Sequence, residues 1–248
     1  MTRTTTTEGD DGTPTAIFDR MAARYDDLRA RDEQLGEQFE FTVGAGLGAA
    51  TRLLDVGCGT GSLVATAVER LGVKAWGIDA SEEMLAKARV RGVRGAAFKH
   101  AQAYDLPFRA GWFDAVMMRL VVHTLGDRRR QALSEARRVL AAEGRLFVWT
   151  FEPDHFTGHH LRSYLPDLPA VDLARFPSAE VLTDELTEAG FGSVQVRWFQ
   201  QTGSVSRARA TSRRSTCCRK RRSPQPPSAW SGRRPPPSPS SRPCCAGS

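Results

Sequence analysis

The chain has 248 residues, 40% hydrophobic and 25% charged, with a formal net charge of +7. That length suits one domain with a substantial core, alone or with appendages. No apolar run approaches the roughly 18 residues needed to span a bilayer, and the Thr-rich start offers no secretory segment, so a cytoplasmic protein is the default.

The charge is unevenly placed. Residues 207–248 hold 11 of the 35 Lys and Arg and none of the 28 Asp and Glu. The rest therefore carries 24 basic against 28 acidic residues, a mildly acidic body with nothing in it to suggest nucleic-acid affinity. Cysteine is skewed likewise: Cys58 lies in the body, while Cys217, Cys218, Cys244 and Cys245 form two distant pairs that match no zinc spacing.

Residues 1–13 are polar and are expected to be disordered. A first helix is predicted from Pro14, with Ile17, Phe18, Met21 and Tyr25 as its apolar positions. A second runs from Glu33 to Val43 and stops at Gly44, Gly46 and Gly48. Leu53, Leu54 and Val56 read as a buried strand that ends in the alternating glycines Gly57, Gly59 and Gly61. A helical stripe follows in Leu63, Val64, Ala67, Val68 and Leu71. A strand turning into a helix through glycines brings main-chain N–H groups close to a ligand. The next strand (Val73, Ala75, Trp76, Ile78) ends in Asp79, 18 residues after Gly61, where a carboxylate can accept both hydroxyls of a ribose. Dinucleotide folds use G-x-G-x-x-G. Here the spacing is G-x-G-x-G, and Ser62 stands where the third glycine would fall. Asp55, two residues before Gly57, would repel a pyrophosphate but suits a cationic or amino-bearing ligand.

Ser81 is a good N-cap for a helix to Val90, with Glu82 and Glu83 in its first turn and Met84, Leu85 and Ala88 inward. Strands are predicted at Ala96 to His100, Trp112 to Met118 and Arg145 to Trp149. A helix from Asp127 to Ala142 carries the stripe Ala132, Leu133, Ala136, Val139 and Leu140, with Arg137 and Arg138 on its solvated face. Arg119 to Thr124 follows the fourth strand's C-terminal end, where doubly wound sheets bind ligands. His123, with a pKa near about 6.5, is the candidate base there; its alternative role is helix capping or packing. Glu152 to Arg175, with His155, His159 and His160, reads as an insert walling a substrate pocket rather than a metal site. A last helix (Val181, Leu182, Leu186, Ala189) ends at Gly190, and the alternation of Val194, Val196 and Trp198 predicts a sixth strand over Phe191 to Phe199. Beyond Ser206 the chain is Arg, Pro, Ser and Cys with little to bury, and is expected to be disordered. Read plainly it is a basic arm. Codons able to encode Cys217 to Arg221, shifted by one nucleotide, give Leu-Leu-Pro-Glu-Glu, ordinary amphipathic protein, so the expected origin is a frameshift that has removed the natural C-terminus and its edge strand. The expected domain boundaries are thus 1–13, 14–205 and 206–248.

The segment D-x-G-C-G-T-G (Asp55 to Gly61) resembles motif I of class I S-adenosylmethionine (SAM) dependent methyltransferases, and GIDAS (Gly77 to Ser81) resembles their acidic ribose motif. FDRMAARYDDLR (Phe18 to Arg29) is similar to the N-terminal helix that lids the cofactor in methyltransferases of the ubiquinone/menaquinone-biosynthesis type; a plain amphipathic helix packed on the domain is the other reading. AQAYDLPF (Ala101 to Phe108) resembles the family's adenine loop, with Gln102 in the acidic position, and FDAV (Phe113 to Val116) its central strand. ARRVLAAEGRLFVWTF resembles the "RVL…GG" segment, with Glu143 in place of the first glycine.

The resemblance implies a doubly wound, Rossmann-like α/β fold: a mostly parallel sheet, helices on both faces, and here a missing C-terminal edge strand. It implies SAM as cofactor and a small-molecule methyl acceptor. Gly57, Cys58, Gly59 and Gly61 would approach the cofactor through their backbone. Asp55 would hold its amino end through water, Asp79 with Ala80 the ribose, and Gln102 with Ala103 the adenine. Arg119 and Tyr25 would complete the site. Neither a membrane nor a metal is implied. The alternatives are an NAD-binding Rossmann oxidoreductase and a catalytically inactive SAM-binding remnant.

Overall fold

The computed structural model describes residues 14–28, 33–153 and 175–199. Helix α1 (Pro14–Met21) continues through a 3-10 turn (Ala22–Arg24) into α2 (Tyr25–Leu28); α3 is Glu33–Gly44. The five strands are β1 (Arg52–Val56), β2 (Lys74–Asp79), β3 (Ala96–His100), β4 (Phe113–Arg119) and β5 (Leu140–Trp149). Between and after them lie α4 (Ser62–Leu71), α5 (Glu82–Val90), α6 (Arg129–Val139) and α7 (Ala179–Glu188).

All strand pairs are parallel, and the sheet order is β3-β2-β1-β4-β5. The order reverses between β1 and β4, so the crevice of a doubly wound sheet opens there, beyond the strands' C-terminal ends. Strand alternation explains the two cores. Leu53, Ala75, Ala115 and Met117 face one side, where they meet Phe39 of α3, Leu63, Val64 and Ala67 of α4, and Leu85 of α5. Leu54, Val56, Ile78, Val116 and Met118 face the other, against Ala132, Leu133, Ala136 and Val139 of α6 and Leu182 and Leu186 of α7. Both faces of the sheet centre are covered, so β1 and β4 are buried along nearly their whole length, whereas β3 and β5 at the edges are more exposed.

Two expectations change. The helix predicted to Ala142 ends at Val139, because Leu140 turns to extended backbone and joins β4 opposite Phe113. The strand then slips, and its register resumes at Arg145 opposite Ala115. Gly144 makes that slip feasible: a Cβ there would stand 2.8 Å from Leu140 and 3.0 Å from the Phe113 carbonyl oxygen. The sixth strand does not form over Phe191–Phe199. Val194 packs on the core, but Val196 and Trp198 are exposed, and Phe199 stacks edge-on against Phe41 and Trp149. Alternation alone does not make a strand; a paired ladder does. Among the described residues β5 pairs only with β4. The tail, the three histidines from 155 to 160 and most of the predicted insert lie outside the described residues.

Candidate active site

The glycine loop is built by backbone that other residues adopt at a cost. Gly57, Gly59 and Gly61 have φ of +72°, +53° and +78°. The Gly57 and Cys58 N–H groups both donate to the Ile78 carbonyl, at 2.8 and 2.9 Å, which ties the loop to the end of β2. A Cβ on Gly57 would lie 2.7 Å from Val121. On Gly61 it would lie 2.9 Å from the Phe98 ring and 3.0 Å from Ala88. Gly61 therefore serves close packing of α4 on α5 and β3, the task a dinucleotide fold gives its third glycine.

Asp79 is the centre of the polar geometry. Its Oδ2 accepts the Gly59 N–H at 2.8 Å and its Oδ1 the Ser81 N–H at 2.9 Å. Each oxygen retains a lone pair for a further donor. Burial raises the pKa of this carboxyl, and backbone N–H groups of Ser81, Gly59 and Ala80 partly offset the rise. Ser81 also caps α5, accepting the Met84 N–H at 3.1 Å.

Around this carboxylate is a cleft of about 230 Å³. Its walls include Tyr25, Gly57, Gly59, Asp79, Ala80, Gln102, Ala103 and Arg119, eight residues named from the sequence. Thr15 and Phe18 of α1, Met84 of α5, and Leu120, Val121, Thr124 and Leu125 after β4 complete much of it. Leu120 carries a φ of +55°, a strained conformation for a branched side chain and one that clusters at ligand sites. Periodicity and composition carry no signal for that residue.

The other four sequence candidates lie outside the cleft walls. Asp55 is 2% exposed at the end of β1, and its Oδ1 is buried without a hydrogen-bond partner among the described residues. Burial pushes its pKa up to about 8, against the pull of Arg119; Asp79 adds to the rise. Cys58 turns its sulfur into the core, 2.7 Å from where a Cβ on Gly77 would stand, and burial drives its thiol pKa far up. Gly61 is buried beneath Phe98. His123 sits in a 3-10 turn (Val122–Thr124), stacked on Phe176 with ring centroids 4.1 Å apart.

Residues 54–148 match the methyltransferase domain family. Over 152 residues the chain is 36% identical to a demethylmenaquinone methyltransferase of Thermus thermophilus, covering 55% of this chain and 65% of that protein. Over 224 residues it is 29% identical to a ubiquinone/menaquinone biosynthesis C-methyltransferase of Citrifermentans bemidjiense, covering 77% of this chain and 92% of the other. Among solved structures, a SAM-dependent methyltransferase of Thermotoga maritima superposes with a TM-score of 0.54 at 29% identity, over 71% of this chain and 81% of that one.

Proposed function

The chain belongs to the class I SAM-dependent methyltransferases, and from that premise we propose that it methylates a small molecule with an apolar body. One observation carries the reading most: at the C-terminal end of β2, the Asp79 carboxylate is anchored by the Gly59 and Ser81 N–H groups and faces a cleft with open glycine backbone beside it. A ribose diol fits the remaining lone pairs. A ligand ammonium would draw the proton from the buried Asp55 carboxyl, whose Oδ1 has no hydrogen-bond partner among the described residues; a diphosphate offers that group no such charge complement, which disfavours an NAD-binding oxidoreductase.

When bound, SAM supplies an electrophilic sulfonium methyl. The protein's task is then to bind, align and keep water out. Gly57 and Gly59 let the cofactor lie against backbone, Asp79 fixes the ribose, and Gln102 with Ala103 faces the adenine. Phe18, Leu120, Val121 and Leu125 give the cleft apolar surface on which an acceptor is desolvated. Demethylmenaquinone, named for one relative, is the first acceptor to assay, in its electron-rich reduced form. We assign His123 the role of base for acceptors that must lose a proton. His123→Ala then lowers kcat by about 10²-fold with unchanged affinity for S-adenosylhomocysteine (SAH); a packing role leaves kcat intact once the protein is folded. We also propose a single catalytic domain over 14–205 and a cytoplasmic location, where SAM is supplied. Calorimetry with SAH and NAD tests the core of the reading. SAH should bind saturably, Asp79→Ala should abolish it, and stabilisation by NAD alone would reverse the choice. Saturable SAH binding with no methyl transfer across a broad acceptor panel would favour an inactive remnant.

A further inference from the structure

The outer wall of the cleft is not part of the sheet. Thr15, Phe18 and Tyr25 come from the N-terminal helices, and the Tyr25 ring stands 3.9 Å from where a Cβ on Gly59 would be. Phe18 braces Tyr25 edge-on, with centroids 6.3 Å apart. What fastens this segment is a guanidinium on the far side of the loop. Arg91, the residue that closes α5, donates from Nε to the Thr60 carbonyl at 2.5 Å and from Nη2 to the Ser62 hydroxyl at 3.0 Å. The same Nη2 reaches Asp26 Oδ2 at 2.6 Å, and the Thr60 hydroxyl donates to the other Asp26 oxygen at 2.6 Å. Three pieces of chain distant in sequence (α2, the glycine loop and the end of α5) therefore meet at one side chain. A planar fork can hold a carbonyl, a hydroxyl and a carboxylate together; a lysine ammonium cannot reproduce that geometry.

We propose that Arg91 is a positioning residue for the cofactor: by tying Asp26 to Thr60 it holds Tyr25 over Gly59 and closes the cleft. The inference rests on the methyltransferase reading. The Asp26 and Arg91 side chains are 52% and 32% exposed, so the pair alone adds little to global stability and is screened by salt. Its effect is local. Released from Asp26, the segment bearing Thr15, Phe18 and Tyr25 moves away from the loop, and cofactor affinity falls.

The test measures SAH binding by calorimetry on the full chain and on Arg91→Ala, Arg91→Lys, Asp26→Asn and the double variant D26N/R91A. It is run at low and high NaCl, with amide exchange of residues 14–28 followed in the ligand-free proteins. R91A should raise the SAH Kd about three- to fivefold at low salt. D26N should do nearly the same, the double variant no worse, and R91K should recover only part. Wild-type affinity should fall with salt more steeply than that of R91A, and exchange over 14–28 should quicken in both single variants. Unchanged SAH affinity in R91A and D26N overturns the proposal, as does lost affinity with unaltered exchange over 14–28, or strictly additive losses. If R91A does not fold, D26N, at an exposed position, decides by the same criteria. Wild-type protein that fails to bind SAH removes both the methyltransferase reading and this one. Wild-type binding matched by both variants removes this one alone.

Discussion

Replacing Asp55 by Asn tests the electrostatics beneath the glycine loop. The carboxyl is 2% exposed and its pKa is pushed up to about 8 from 3.8. Between those values the folded chain holds a proton that the unfolded chain has lost. This contribution to stability is fully present below pH 3.8 and declines as pH rises through about 8. Each pH unit inside the window costs about 1.4 kcal/mol, so raising pH from about 5.5 to 7.5 removes on the order of 3 kcal/mol. For a domain of this size that is roughly 5–10 °C of Tm. Thermal unfolding of ligand-free wild type should show that fall, and Asp55→Asn, which has no proton to lose, should flatten it. Binding should reverse the cost. A ligand ammonium near Oδ1 favours the ionised carboxyl, so SAH binding at pH 7 should release a proton from wild type but not from Asp55→Asn. Calorimetry in buffers of different ionisation enthalpy measures that release. Parallel Tm profiles for the two proteins would refute the assignment of the shift to Asp55.

Three further outcomes follow from named contacts. Gly57→Ala places a methyl 2.7 Å from Val121 at a φ of +72°, and should lose on the order of 1–3 kcal/mol of stability along with at least about tenfold in SAH affinity, read by chemical denaturation and calorimetry. Gly61→Ala meets Phe98 and Ala88 instead, and should cost a similar amount of stability without removing a ligand contact; the ratio of the two losses separates packing from binding. Glu185→Gln breaks the pairing of α7 with Arg129, where Oε2 and Oε1 take Nε and Nη2 at 2.6 and 2.8 Å with side chains 6% and 17% exposed. It should cost about 3 kcal/mol in urea unfolding at pH 7. The Glu185 pKa is lowered chiefly by its hydrogen bond to Arg129, so that stability is present above the usual glutamate range and lost as pH falls below it.

The fold was legible where pattern and chemistry agreed. The β3 strand from Ala96 to His100 and the Ser81 cap were read from periodicity and side-chain chemistry alone, and both occur as read. Asp79 was legible because the carboxylate, its distance from the glycines and the strand before it point one way. The misses have physical causes. The α6–β5 boundary was hidden because Leu140 is apolar in either element, and the turn to extended backbone is set by pairing with Phe113, 27 residues earlier in the chain. The sixth strand failed because alternation specifies a face and not a partner. For Cys58, placed in the site by its position in the motif, the fold adds that its sulfur occupies the space beside Gly77. Nothing in the sequence pattern singles out Arg91, since its partners are 31 and 65 residues away.

Helix α5 is held at both ends, by the Ser81 cap beside the cleft and by Arg91 behind the glycine loop. Its first turn hangs from Ser81, whose own N–H is bonded to Asp79; its last residue hands over to Arg91. Nine helical residues make a strut of about 14 Å whose internal hydrogen bonds resist bending. The strut thereby fixes the span between the Ser81 anchor beside Asp79 and the Arg91 anchor beside Asp26.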